Sequence, residues 1–319
     1  MNEAPAIGVD LGGTKLLCGV IGSEAEILSC SRASSAGLAR EDLLELLYAQ
    51  LEGAVEAHST VEAIGLGLPC TIDHARGICV NAVHLDLAGV PLGDLVSDRL
   101  GLPVFCDNDG NLAAIAEQRY GAARGERNVV LLTIGTGIGG GLILDGRPYR
   151  GSRGAGAELG HIVVDLDGPE CGEGCPNRGC IEAMVSGRAL AQQGRLAAGA
   201  DPSSPLGRQL AAGGLDGAAV TSAALAGDPA AVAAVETIGR RLGTALAGLA
   251  NAFDPDRIVV GGGVMAAGEL LLDPAREELR ERALPPQNEV PVTAAALGEH
   301  AGMIGAATMA RDELARTHG

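Results

Sequence analysis

The chain has 319 residues and a formal net charge of −17, and its hydrophobic content is almost free of aromatics: no Trp, three Tyr and two Phe. That length allows two domains around a core of Ala, Val, Leu and Ile, with 49 Gly permitting close backbone approach. The acidic balance argues against nucleic acid as the main partner, because phosphate contacts need clustered Lys and Arg, and the apolar content argues against a disordered chain. No uncharged apolar run is long enough to cross a bilayer, and MNEAPAIGVD lacks the pattern of a secretory signal. The expected location is the cytoplasm, with no membrane partner and with thiols kept reduced.

Residues 6–30 read as two or three strands around a Gly-Gly turn. Within them, Asp10-Leu-Gly-Gly-Thr-Lys15 places Gly12 and Gly13 where backbone N–H groups can turn toward an anion. Thr14 adds a hydroxyl donor, and Asp10 can hold Mg2+ or its water shell beside phosphates. A plain glycine hairpin with a capping Asp explains this stretch equally well, and it is not a Walker loop, which needs G-x-x-x-x-G-K-[ST] before a helix. EDLLELLYAQLEGAVEAH (41–58) has helical spacing and an acidic first turn. AIGLGLP (63–69) follows as a buried strand, PLGDLVSDRLG (91–101) as a helix, and LPVFCDND (102–109) as a strand running into another helix. The alternation predicts helices packed against a sheet with parallel pairings.

Asn108-Asp109 stands at that strand's end, with Gly110 and Asn111 opening the helix. An Asp there can accept a hydroxyl proton from a substrate held in a cleft. Taken alone, helix N-capping is the commoner use of Asn or Asp at such a point. NVVLLTIGTGIGGGLILDG (128–146) repeats the opening theme, with Thr136, Gly137 and Gly139 in its Gly/Thr segment, so the two halves look like copies of one device. An Ala-rich helical stretch (about 217–252) leads to RIVVGGGV (257–264), whose Gly261, Gly262 and Gly263 let a flat adenine or a ribose approach the backbone before a helix beginning near Met265. The Ala/Gly-rich 197–220 reads as the loosest part, a surface excursion. VPVTAAAL (290–297) and a closing helix (301–316) end the chain.

Three of the eight cysteines fall within CGEGCPNRGC (171–180). A disulfide, a redox pair and a metal site are the alternatives. A reducing compartment disfavours the first, and the absence of Cys-x-x-Cys disfavours the second. His161, ten positions before Cys171, would complete four N/S ligands with Cys171, Cys175 and Cys180, the donor set of a closed structural zinc site. Glu158 and Glu182 flank this loop, either as surface charges or as acceptors of sugar hydroxyls.

The ordered set DLGGTK, NDGN, TIGTGIGGG, AELGH, GCPNRGCIE, IVVGGGV and LGEHAGMIGAA resembles the ROK family of sugar kinases and related repressors, and within it the bacterial glucokinases, over residues 6–310. The resemblance implies an actin-like, ribonuclease H-like ATPase fold: an α/β domain over 1–112, completed by 301–319, and a larger α/β domain over 113–300 carrying the zinc loop. It implies phosphoryl transfer from MgATP to a hexose, most simply to O6 of glucose. The triphosphate would lie on Gly12, Gly13, Thr14, Lys15, Thr136, Gly137 and Gly139, with adenosine near Gly261 to Gly263 and Asp10 in the same nucleotide site. Asp109 would be the general base. Asn108, Glu158, His161 and Glu182 would contact the sugar, and His161, Cys171, Cys175 and Cys180 would hold structural Zn2+. A homodimer or homotetramer is implied as well.

Two departures from the family pattern stand out. Cys171 is displaced from the usual Cys-x-Cys spacing, and Pro176 replaces a Gly. Pro69-Cys70 and NAVHLDLAGVPL (81–92) replace the family's usual sugar-side stretches. An N-acetylmannosamine or N-acetylglucosamine kinase is the nearest alternative. A polyphosphate-using relative, a repressor and a non-catalytic sugar sensor are further ones. A repressor would need a helix-turn-helix ahead of the turn at Asp10, and a sensor would not need Asp109 together with the nucleotide turns.

Overall fold

The computed structural model describes residues 4–74, 76–82, 85–172 and 174–318. Val83 and His84, within the sugar-side stretch 81–92, and Glu173, within the cysteine loop, lie outside the described residues. The first half of the chain runs β1 (Ala6–Leu11), β2 (Lys15–Ile21), β3 (Ile27–Ser34), α1 (Arg40–Ala57), β4 (Ile64–Leu68), the hairpin β5 (Cys70–Asp73) and β6 (Ile78–Ala82), α2 (Leu92–Leu100), β7 (Val104–Asn108) and α3 (Asp109–Tyr120). The second half opens with β8 (Val129–Ile134), β9 (Ile138–Leu144) and β10 (Arg147–Pro148). A small hairpin, β11 (Glu170–Gly172) and β12 (Cys175–Arg178), precedes α4 (Ile181–Val185), α5 (Gly187–Ala200), α6 (Pro205–Ala211), α7 (Gly217–Leu225) and α8 (Pro229–Phe253). The chain finishes with β13 (Arg257–Gly261), α9 (Glu269–Arg282), β14 (Val292–Ala294) and α10 (Ala301–His318).

The two principal sheets share one design. The first has the order β3-β2-β1-β4-β7 and the second β10-β9-β8-β13-β14. In each, the three outer strands pair antiparallel as a meander, and the last two join in parallel. The repeat of strand, Gly/Thr turn and strand is therefore a repeat of whole sheets. Burial on both faces explains why β1, β4 and β8 are nearly continuous apolar runs.

Helices α3 and α10 pack on each other and hold the sheets together: α3 lies against β8 and β9, α10 against β1 and β4. One core cluster joins Leu17 and Ile21 of the first sheet to Val129, Leu131 and Val259 of the second through Leu112, Met303 and Ala307. Close approach makes this possible. A Cβ on Gly8 or Gly65 would collide with the backbone carbonyls of Met303 and Ala306, so only glycine lets α10 lie directly on β1 and β4.

Four expectations change. The Ala-rich stretch 217–252 is two helices, not one, because Gly227 takes φ 85° and Asp228 caps α8 by accepting from the Ala230 and Ala231 N–H groups. Residues 197–220 are mostly helical. Ser204 caps α6 with Pro205 in its first turn, and Asp216 caps α7. The turn after Gly262 is a 3-10 helix over Gly263–Ala267, and the α-helix begins only at Glu269. The strand expected over 290–297 contracts to β14, because the buried Glu117 carboxylate takes the Ala296 and Leu297 N–H groups and turns the chain toward α10. Among the described residues no single helix is long and apolar enough to cross a membrane.

Candidate active site

The parallel pair β4–β7 ends where α3 begins, which sets Asn108 and Asp109 at a helix N-terminus facing the space between the sheets. Asn108 is the N-cap. Its Oδ1 accepts from Gly110 N at 2.9 Å and Asn111 N at 3.3 Å, and its Nδ2 donates to the Cys70 carbonyl at 3.4 Å. Asp109 then projects from the first turn, with Oδ1 accepting from Gly110 N at 2.9 Å. Its carboxyl is pushed up to about 7, first by burial and then by the negative charge of Asp10, with Glu158 adding to it and the Gly110 N–H opposing. Burial also raises Asp10, with Lys15 pulling the other way. Carboxylates from three separate segments thus converge, and the central one titrates near neutrality.

An ion pair that the sequence reading missed supports this point. Arg150 Nε donates to Asp107 Oδ2 at 2.6 Å, and the Asp107 side chain is only 3% exposed. Asp107 Oδ1 accepts from Asn108 N at 2.8 Å and Asn111 Nδ2 at 3.0 Å. The pair ties the end of β7 to the loop that follows β10 and leads to Glu158. No motif carries it; the signal was a charged residue at a position that should be core. Breaking a buried pair from one side is costly. Arg150→Met is expected to lower stability by about 3 kcal/mol and kcat/KM for the substrate by roughly 10- to 100-fold. Thermal denaturation and steady-state kinetics check this, and a variant matching the parent in both would show the pair to be incidental.

The first glycine turn is stapled from outside. Gly12 N donates to Lys15 O at 2.8 Å, and Ser35, buried behind it, donates from Oγ to Gly12 O at 2.7 Å and from N to Thr14 O at 3.2 Å. The carbonyls of Gly12 and Thr14 are thereby taken up by Ser35, and the Gly12 N–H, expected to face an anion, is spent on Lys15 O. Lys15 Nζ pairs with Glu299 at 3.2 Å, which Arg32 also contacts at 3.3 Å, so Lys15 is a strut between β2 and the 3-10 turn Gly298–His300 that precedes α10. Asp10 packs against Gly302 in the first turn of α10.

The second turn has the same logic. Gly135 O accepts from Gly187 N at 2.8 Å, Thr136 O from Arg188 Nε at 3.2 Å, and Glu182 Oε2 takes Ile138 N at 2.8 Å. The N–H groups of Thr136 and Gly137 make no hydrogen bond among the described residues, which leaves two donors for an anion. A Cβ on Gly137 would strike the Glu182 carboxylate. Gly139 lies inside β9 opposite Thr133, two residues past the turn. At the third cluster, Gly262 takes φ 89° and lies on the Ile134 backbone, bringing the end of β13 beside the second turn. A cavity of about 920 Å³ opens there, lined by Gly135, Thr136, Arg188, Asp216 and Gly263 among others. Helices α5 and α7 form its wall, and of the stretch 197–220 read as loosest only Asp216, Gly217 and Ala218 contribute to it. The cavity size suits a nucleoside.

Local pairing gathers the cysteine loop. Ile181 N donates to Ile162 O at 2.9 Å and Cys180 bridges Val163, which carries His161 to Cys180. The hairpin β11–β12 pairs Gly172 with Cys175, which brings Cys171 over both. The ligand atoms of His161, Cys171, Cys175 and Cys180 all lie within 4.8 Å of one another. Cys171 Sγ stands 3.5 Å from His161 Nδ1 and Cys175 Sγ 3.9 Å from Cys180 Sγ. A tetrahedron with Zn–S near 2.3 Å has edges of about 3.8 Å, so the donor set and its spacing fit zinc. The displaced Cys171 is brought into the cluster as closely as the other two. Glu182, at 3.8 Å from Cys171 Sγ, is a neighbour of this cluster and not a member of it.

Comparison with known proteins places this geometry. The ROK family model matches residues 6–313. A glucokinase of Streptomyces coelicolor is 39% identical over 313 residues, covering 96% of this chain and 97% of its own. An N-acetylmannosamine kinase of Citrobacter koseri is 31% identical, covering 96% and 99%. The crystal structure of a ROK family glucokinase from Streptomyces griseus in complex with glucose and AMPPNP superposes with a TM-score of 0.84 at 40% identity, over 97% of this chain and 99% of that one. The fold is that of the actin-like ATPases, and the chain belongs to the ROK family.

Proposed function

We propose that the protein is a cytoplasmic hexokinase-type phosphotransferase that moves the γ-phosphoryl group of ATP to a hexose, with glucose as the preferred acceptor and O6 as the attacking oxygen. The observation that carries this reading is Asp109: a carboxyl pushed up to about 7 in the first turn of α3, within reach of the charges of Asp10 beside the first glycine turn and of Glu158. A base poised there accepts the hydroxyl proton as the sugar oxygen attacks phosphorus. The nucleotide lies in the cavity beside Gly261 to Gly263 and its phosphates reach the turns at Gly12 to Thr14 and at Thr136 and Gly137. Asp10 would hold Mg2+ or its water shell, and the ion would neutralise charge on the phosphates. Asn108, Glu158, His161 and Glu182 form the sugar side. His161, Cys171, Cys175 and Cys180 hold a structural zinc ion, all four positions being filled by protein.

Residues 1–112 with 301–319 act as one domain and 113–300 as the other, closing on the substrates through α3 and α10 and excluding water. Near relatives that act on glucose and on N-acetylmannosamine share this scaffold, so the acceptor is the point to test. A coupled ADP-release assay over glucose, mannose, fructose, N-acetylglucosamine and N-acetylmannosamine is expected to give glucose a kcat/KM at least about 10-fold above the N-acetylated sugars, the discrimination a pocket contact commonly supplies. The opposite ranking would assign the enzyme to the N-acetylhexosamines, and silence on all five would refute kinase activity.

A further inference from the structure

Arg188 belongs to none of the motifs above, yet it joins the second glycine turn, Glu182 and the cysteine loop. Its Nε donates to Thr136 O in the second turn at 3.2 Å. Its Nη2 donates to Glu182 Oε1 at 2.7 Å and to Cys171 O, in the cysteine loop, at 3.3 Å. The same side chain lines the nucleotide cavity. Burial across the pair is lopsided: Arg188 is 48% exposed, Glu182 only 13%. The arginine can therefore move at little cost, whereas the carboxylate is held, its other oxygen accepting Ile138 N at 2.8 Å. Arg195, the other cation lining the cavity, stands two helical turns further along α5, away from the second turn.

We propose that Arg188 is a positioning residue that couples the two substrate sites, holding Glu182 while the nucleotide cavity is empty and turning to the phosphate chain when it fills. The inference rests on the kinase reading above. A triphosphate carries several negative charges on geometry that matches the guanidinium fork, so it outcompetes a single carboxylate for Arg188. Glu182 keeps the Ile138 N–H, which preserves its position, and loses the cation on Oε1. That oxygen then becomes a stronger acceptor for a sugar hydroxyl. Nucleotide binding should thus tighten sugar binding, and by linkage the sugar should tighten the nucleotide by the same factor. Glu182, expected to face the sugar alone, becomes the shared member of both sites.

Calorimetric titration of glucose into the metal-replete protein, with and without a saturating non-hydrolysable ATP analogue and Mg2+, reads the coupling directly. The parent protein is expected to bind glucose roughly 5- to 50-fold more tightly with the analogue present. In Arg188→Met the ratio should fall to within about twofold, with metal content and Tm close to those of the parent. Arg188→Lys keeps the charge and loses the fork, and should fall between; it decides the matter if the methionine variant does not fold. A parent ratio within twofold, or a ratio that survives both substitutions, overturns the coupling while leaving the kinase reading intact. Absence of hexose binding to the parent in either condition overturns the kinase reading and the coupling with it.

Discussion

Asp109→Asn is expected to lower kcat by about three orders of magnitude while making the protein more stable above neutral pH. The rate loss follows from removing the group that accepts the hydroxyl proton, a contribution of roughly 10²- to 10⁴-fold. The stability gain follows from linkage. Burial and the Asp10 charge push the folded-state carboxyl from 3.8 to about 7. The native protein therefore binds more protons than the unfolded chain between those values, and the stability associated with the protonated form is lost as pH rises through about 7. Asparagine is neutral throughout and escapes that loss. Solvent in the cleft reduces the effect, so about 2 kcal/mol at pH 8 is expected, and little difference at pH 4. Denaturant melts at the two pH values check the sign. The parent's kcat/KM should rise with pH along an acid limb near 7, because only the ionised carboxylate can take a proton. A purified Asp109→Ala protein with near-normal turnover would remove Asp109 from the mechanism.

Loss of a proposed zinc ligand should produce the second large effect. Cys180 is fully buried and bridges Val163, so Cys180→Ser leaves three donors, with a poor ligand at the innermost position. Metal content is expected to fall from one zinc per chain toward zero, with Tm lower by more than about 5 °C, since a closed structural site contributes several kcal/mol even to a loop that other contacts partly order. The hexose KM should rise more than the nucleotide KM, because His161, a proposed sugar contact, is itself a member of the cysteine cluster, whereas the cavity proposed for the nucleotide is lined by α5 and α7. Cys171→Ser tests the displaced ligand separately and should show the same loss, in keeping with its 3.5 Å approach to His161. Parent protein grown with zinc yet lacking stoichiometric metal would refute the site.

Much of this site is written in short sequence segments whose meaning is local. A glycine turn between apolar strands, an Asn-Asp pair at a strand end and cysteines in a glycine-rich loop each specify backbone shape and donor chemistry within a few residues. Those signals were enough for the strands and turns of the two sheets and for the grouping of His161 with Cys171, Cys175 and Cys180, and for a family resemblance over nearly the whole chain. Local signals for α6 and α7 were also present, in Ser204-Pro205 and Asp216-Gly217, but an Ala/Gly-rich composition obscured them.

What the sequence alone determined is the chemical inventory and its order: which strands turn at glycine, where a base can stand, which side chains can bind a metal. Tertiary structure decided the partners. Arg150 reaches Asp107 across 43 positions, Lys15 reaches Glu299 across 284, and Glu117 takes the Ala296 and Leu297 N–H groups across 179 and 180. It also decided that Asp109 titrates near 7 and that Arg188 joins Glu182 to the second turn. These are properties of distance and dielectric, which arise only when separate segments are packed together, and no periodicity or motif within one segment encodes them.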